Sequence, residues 1–197
     1  MNVSQHAGCS AVRARKAEDQ LQPRGRFVVE HFRKGEKIGH YEFPNGIANE
    51  GKNKLLDVMF HGVSAITTWW LGLIDNAGYS ALAATDTYAN INQTGNGWDE
   101  FTNYTDAGNG GSASTRPEWT EGAASGQAIT NGSPVVFDIT DSGTVKGLFL
   151  VGGAANAQNK SDYQASGAVL WATALFNSGD VPVSNGDQLK VTYTVSA

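Results

Sequence analysis

Apolar and polar positions fall into distinct regimes along the chain. Residues 1–26 (MNVSQHAGCSAVRARKAEDQLQPRGR) hold almost no apolar periodicity from which a core could be built, which marks an extended N-terminal arm. From Phe27 onward the pattern becomes that of a folded body, residues 27–197. Residues 27–33 and 38–43 read as two strands, and Gly35 between them supplies the positive φ of a two-residue turn, so a hairpin is predicted over 27–43. Residues 49–61 carry helical spacing: Asn49 suits an N-cap, Glu50 favours the positive end of the dipole, and Leu55, Leu56, Met59 and Phe60 form an apolar face. Gly62 is a suitable stop.

Residues 65–74 (AITTWWLGLI) are apolar at both alternating sets of positions, the signature of a central strand covered on both sides. Regular patterning then weakens over residues 82–125, a loop-rich insert in which Trp98, Phe101, Tyr104 and Trp119 stand among Asn, Gly, Thr and Asp. Strand patterns resume at 135–139, 144–151, 168–176 and 189–195. The last alternates cleanly, with Leu189, Val191, Tyr193 and Val195 on one face and Lys190, Thr192 and Thr194 on the other. The predicted fold is an all-β antiparallel sandwich of jelly-roll type with one short helix and the N-terminal arm.

Composition changes this picture in two ways. The 197 residues suffice for one domain plus an extension, with 24 glycines suiting many turns. The net charge of −5 conceals a split: residues 1–54 hold 10 Lys+Arg against 6 Asp+Glu, and the other 143 hold 4 against 13. An acidic body argues against general nucleic-acid binding, whereas the arm's Arg13, Arg15, Lys16, Arg24 and Arg26 suit an acidic protein surface. The single cysteine, Cys9, cannot close an intrachain disulfide. No stretch approaches the roughly 20 apolar residues that span a bilayer, and no secretory signal pattern opens the chain, so a soluble protein made in the cytoplasm is expected.

Candidate chemistry is sparse. In the hairpin as read, His31 faces His40, which is half a metal site at most; neither a metal nor another cofactor is expected. Asp99 with Glu100, and Glu118 with Glu121, are paired carboxylates of the kind glycoside hydrolysis uses, set in loop-like surroundings where solvated or turn-capping acids are the plainer reading. There is no Gly-x-Ser-x-Gly elbow and no phosphate-cradling loop, so no catalytic residue is assigned. Trp98 and Trp119 read either as plugs that hold the insert on the sandwich or as a stacking platform for sugar rings.

Residues 45–57 (NGIANEGKNKLLD) and 68–75 (TWWLGLID), together with Asp86-Thr87, Gly97-Trp98-Asp99-Glu100, Tyr104, Arg116-Pro117-Glu118-Trp119, Asn131, Val136-Phe137, Gly147–Leu150, Leu170-Trp171 and residues 186–195, follow in an order that resembles structural proteins of tailed bacteriophages. Within that group the chain is most similar to capsid cement or decoration proteins. The resemblance implies a non-enzymatic virion protein on the outer surface of an icosahedral head. It would bind the major capsid protein across subunit seams, associate with itself as a homodimer or homotrimer, and need neither nucleic acid nor membrane. A tail- or fibre-associated module that binds host-surface glycans is the alternative.

Overall fold

In the computed structural model, residues 22–160, 163 and 166–197 are described. Arg13, Arg15, Lys16 and Cys9 lie outside them. Arg24 and Arg26 do not belong to an arm: they open the first strand, β1 (Arg24–Arg33), paired with Ser196 and Thr194 of the last, β11 (Asp187–Ser196). Gly25 makes this start possible, because a Cβ there would lie 1.8 Å from Asn45 Oδ1 and 2.4 Å from the Tyr193 hydroxyl.

The expected hairpin forms between β1 and β2 (Glu36–Ile47). Its turn residues Lys34 and Gly35 both take positive φ, 52° and 81°, the twist a two-residue connection requires. The register is not the one read from sequence. Phe32 pairs with Lys37 but His31 pairs with Gly39, so Ile38 is an extra residue on β2 and His40 sits opposite Glu30. The turn at Lys34-Gly35, which sets Arg33 opposite Glu36, separates the two histidines, and the bulge makes up only part of the offset.

Next come α1 (Asn49–Phe60) and β3 (Trp69–Asp75), then the insert with only two short strands, β4 (Glu100–Phe101) and β5 (Tyr104–Asp106). They are followed by β6 (Ala128–Thr130), β7 (Val135–Ile139), β8 (Gly143–Gly152), β9 (Val169–Leu175), β10 (Val181–Val183) and β11. Among the described residues every pairing between these strands is antiparallel.

The fold is mostly β, as expected, but the strands follow one path, β4-β3-β8-β9-β2-β1-β11-β7-β5, with β10 beside β8 and β6 beside β11. The antiparallel sheet is nearly closed into a barrel, and a division into jelly-roll sheets does not emerge from the pairing. β2 joins its two halves: residues up to Asn45 pair with β1, and Gly46 and Ile47 pair with β9.

Two cores result. Inside the sheet, Phe27, Phe43, Leu71, Phe137, Leu148, Leu189 and Tyr193 pack together. On the outer face of β3, β8 and β9, Trp70, Ile74, Phe149, Val151 and Leu170 pack against Tyr88, Ile91 and Trp98 of the insert. The insert is therefore the cover that buries the second side of β3, which explains why its residues 70–74 are apolar throughout.

Candidate functional site

Helix α1 is fastened to the body at its N-terminal end. Ala48 N–H donates to the Trp171 carbonyl at 2.8 Å, and the Glu50 carboxylate accepts from the backbone N–H groups of Tyr88 at 2.8 Å and Leu170 at 2.7 Å. Ala48, not Asn49, occupies the N-cap position, with no side-chain cap. Gly51 rests against β9, where a Cβ would meet the Trp171 carbonyl at 2.8 Å.

Beyond this anchor the apolar face of α1 turns outward. Leu56 is 55% exposed, Met59 64%, Phe60 81% and Val63, just past the helix, 37%. Met59 and Phe60 follow Leu56 by three and four residues, which sets them on one face of the helix, and Val63 follows beyond its end. Beside them lies an apolar groove of about 320 Å³, floored by Leu55, Ile66, Trp69, Trp171 and Val195. A second groove of about 450 Å³ shares Leu55 and is lined by Gln22, Pro23, Asn45, Lys52 and Leu56. Gln22 and Pro23 thus lie beside Lys52, Leu55 and Leu56 of α1. The two grooves, which share Leu55, and the exposed apolar residues of α1 are the candidate interaction site.

The two tryptophans considered as a sugar platform are buried at 1% (Trp98) and 3% (Trp119) exposure. Trp98 Nε1–H donates to Asp86 at 2.9 Å, and Trp119 Nε1–H is shared between Asn131 Oδ1 at 3.1 Å and the Tyr193 carbonyl at 3.2 Å. Neither ring offers a face on which a sugar could stack, so the platform is corrected to a pair of plugs, as the insert's need for packing dictates.

The carboxylate pairs also separate. Asp99 is exposed while Glu100 points into the protein. There Glu100 accepts two bonds from Arg116, Nε–H to Oε1 at 2.9 Å and a terminal N–H to Oε2 at 2.7 Å, and further bonds from the hydroxyls of Tyr104 at 2.9 Å and Tyr163 at 3.0 Å. Arg116, fully buried, also donates to the Ala157 carbonyl and lies 5.5 Å from the Phe149 ring centre. Burial opposes its charge, but adjacent Glu100 holds the guanidinium above its ordinary pKa. Burial and Glu100 likewise raise Tyr104 and Tyr163. Lys160 donates to the Thr102 carbonyl at 2.8 Å and to that of Tyr104, and burial pushes it down to about 8.

Glu118 and Glu121 border a cleft of about 780 Å³, with Asp106, Asn109 and Ser133. Asp106 is occupied in turning the chain, accepting from the N–H groups of Gly108 and Asn109. His31, read as half a metal site, instead meets Asp187 through Nε2 at 2.8 Å, and Arg33 binds the same carboxylate with both its Nε–H and a terminal N–H. The Arg33 hydrogen bonds, joined by His31 and the Ser184 N–H, outweigh burial and hold Asp187 well below the usual carboxylate range. Among the described residues, no group of three or more His, Cys, Asp or Glu is placed to hold a metal ion, and no helix is long and apolar enough to cross a membrane.

Comparison with protein-family models, curated proteins and solved structures gave no match. Glu50, Asp86 with Trp98, Glu100 with Tyr104 and Arg116, and Trp119 with Asn131 form buried polar contacts that fasten the insert and α1 to the sheet. They build the scaffold, and the outer face of α1 stays exposed.

Proposed function

We propose that the protein is a non-enzymatic phage virion protein that decorates and cements an icosahedral capsid by binding the major capsid protein across subunit seams. The observation that carries this reading is the set of exposed apolar residues Leu56, Met59, Phe60 and Val63, of which Leu56 shares a groove with Gln22 and Pro23. An exposed apolar surface in a chain with a basic leader suits assembly, in which many modest contacts are multiplied by the symmetry of a shell. Twenty-one residues can extend roughly 70 Å, enough to reach across a neighbouring subunit. The acidic remainder faces solvent and keeps the decorated particle soluble.

The test is cosedimentation with expanded shells of the cognate major capsid protein. Full-length protein should pellet with them, whereas a chain lacking residues 1–21 and a Met59→Ser/Phe60→Ser variant should remain in the supernatant while keeping the circular dichroism of a folded β protein. Undiminished binding by both would refute the proposal.

A further inference from the structure

We propose that Asn109 is a self-modifying residue, converted without an enzyme to aspartate and isoaspartate through attack by the backbone nitrogen of Gly110. The inference concerns this chain alone and does not rest on the virion reading. Asparagine is a labile residue, and a following glycine favours the reaction because no Cβ hinders the attacking nitrogen. Five Asn-Gly pairs are present, at Asn45, Asn96, Asn109, Asn131 and Asn185, and the sequence does not rank them.

In the reaction Gly110 N bonds to Asn109 Cγ, the Cγ–Nδ2 bond breaks, and Nδ2 leaves as ammonia with the proton of the Gly110 N–H. Water then opens the cyclic imide. Cleavage of the bond from nitrogen to Cγ gives aspartate, and cleavage of the bond from nitrogen to the main-chain carbonyl gives isoaspartate. One water is consumed and one ammonia released.

The attack requires an N–H free of an acceptor, a side-chain amide that is not pinned, and space for water. The turn after β5 supplies all three. Asp106 takes the N–H groups of Gly108 and Asn109 on its side chain and that of Gly111 on its carbonyl, and the Ser112 N–H goes to the Asn109 carbonyl. Between them the Gly110 N–H has no acceptor among the described residues. Asn109 and Gly110 are exposed, a Cβ on Gly110 would meet nothing within 4 Å, and the Asn109 amide donates only over a long 3.4 Å to Thr115 Oγ1.

The other four pairs each fall short. Asn131 is buried, with Oδ1 accepting from Trp119 Nε1–H and the Tyr193 N–H, and Nδ2 donating to the carbonyls of Ser133 and Val191. The Gly186 N–H is held by the Ile139 carbonyl at 2.9 Å. Asn45 lies in β2, its amide donating to the Tyr193 hydroxyl and the Gly46 carbonyl while Gly46 pairs with Thr173. The Asn96 amide nitrogen is buried, and the Gly97 carbonyl is fixed by the N–H groups of Ser80 and Ala81.

Conversion changes a surface that matters. Asn109 lines the cleft with Asp106, Glu118 and Glu121, so the product is a fourth carboxylate there, and the isoaspartyl form adds a methylene to the main chain of the turn that Asp106 caps. The charge of the cleft therefore records the age of the molecule.

The experiment ages the full chain in warm neutral buffer, native and in guanidinium, and follows the five pairs on separate chymotryptic peptides by mass spectrometry, with an isoaspartyl methyltransferase to label isoaspartate. In guanidinium all five should convert at rates within a few-fold of one another. In the native protein Asn109 should keep its denatured rate to within a few-fold, and the other four should slow by more than that. An acidic form should accumulate on anion exchange and be absent from Asn109→Gln, in which the attack must close a larger ring; this side chain is exposed, so the fold is kept. Native conversion led by another pair, slowing of Asn109 as strong as that of the rest, or an acidic form that persists in Asn109→Gln would each overturn the inference. None of these measurements involves a capsid, so failure here is separate from failure of the cement reading.

Discussion

Replacing Arg116 by Met tests whether the buried pair is held as a unit. The substitution removes both bonds to Glu100 and the one to the Ala157 carbonyl, and strands a carboxylate among Phe149, Tyr88 and Tyr163. Breaking a buried ion pair on one side costs about 3–5 kcal/mol, a large part of the roughly 5–15 kcal/mol that separates a domain from its unfolded state. Guanidinium denaturation followed by tryptophan fluorescence measures the loss, since Trp98 packs on Phe149 beside the pair. The double variant Glu100→Met/Arg116→Met removes both charges together. It leaves the Tyr104 and Tyr163 hydroxyls without their acceptor, at about 1–3 kcal/mol each, so it should remain less stable than the wild type. It should nonetheless be more stable than the two single losses added together, by more than about 1 kcal/mol of coupling. Strict additivity of Glu100→Met and Arg116→Met would refute the reasoning.

Asp187→Asn should cost about 2 kcal/mol at neutral pH, from bonds to charged groups lost at the end of β1. Because the folded carboxyl titrates below its unfolded value, that advantage of the wild type is full above about pH 4 and shrinks as pH falls further, which urea midpoints across an acid series would reveal. At the alkaline end Lys160 acts in the opposite sense. Its folded pKa near 8 lies below the ordinary 10.5, so the unfolded chain binds more protons between those values and stability should rise across that window, an increment that Lys160→Met abolishes. Above about pH 10 the raised Tyr104, Tyr163 and Tyr193 reverse the trend, because the unfolded chain ionises first.

The sequence was legible where one face of an element is wet and the other dry. β11 alternates because Leu189, Val191 and Tyr193 face the core, and β3 is apolar throughout because the insert covers its second side. α1 lies within a residue of its expected bounds, yet Leu56, Met59 and Phe60 of its apolar face are exposed. Periodicity states that a stripe must be covered and is silent on what covers it. The His31 and His40 pairing failed because the turn centres on Lys34-Gly35 and sets Arg33 opposite Glu36; the extra residue at Ile38 makes up only part of that offset and leaves His31 opposite Gly39. Glu100 was noticed for the wrong neighbour. Its partner Arg116 lies 16 residues away in a stretch without periodicity, and only the rarity of a lone arginine in so acidic a region hinted at a buried role.

The ladder between β1 and β11 has a consequence for the time course of folding. Arg33 and Asp187, which meet there, stand 154 residues apart. On a ribosome β1 emerges first and holds its hairpin partner early, while its other edge stays open until nearly the whole domain has been synthesised. Such non-local closure belongs with the slow end of β-protein folding, milliseconds to seconds. During that interval an unpaired strand bearing Phe27 and Val29 invites mispairing between nascent copies, so yield should depend on translation rate and chaperone supply more than on the stability of the finished barrel.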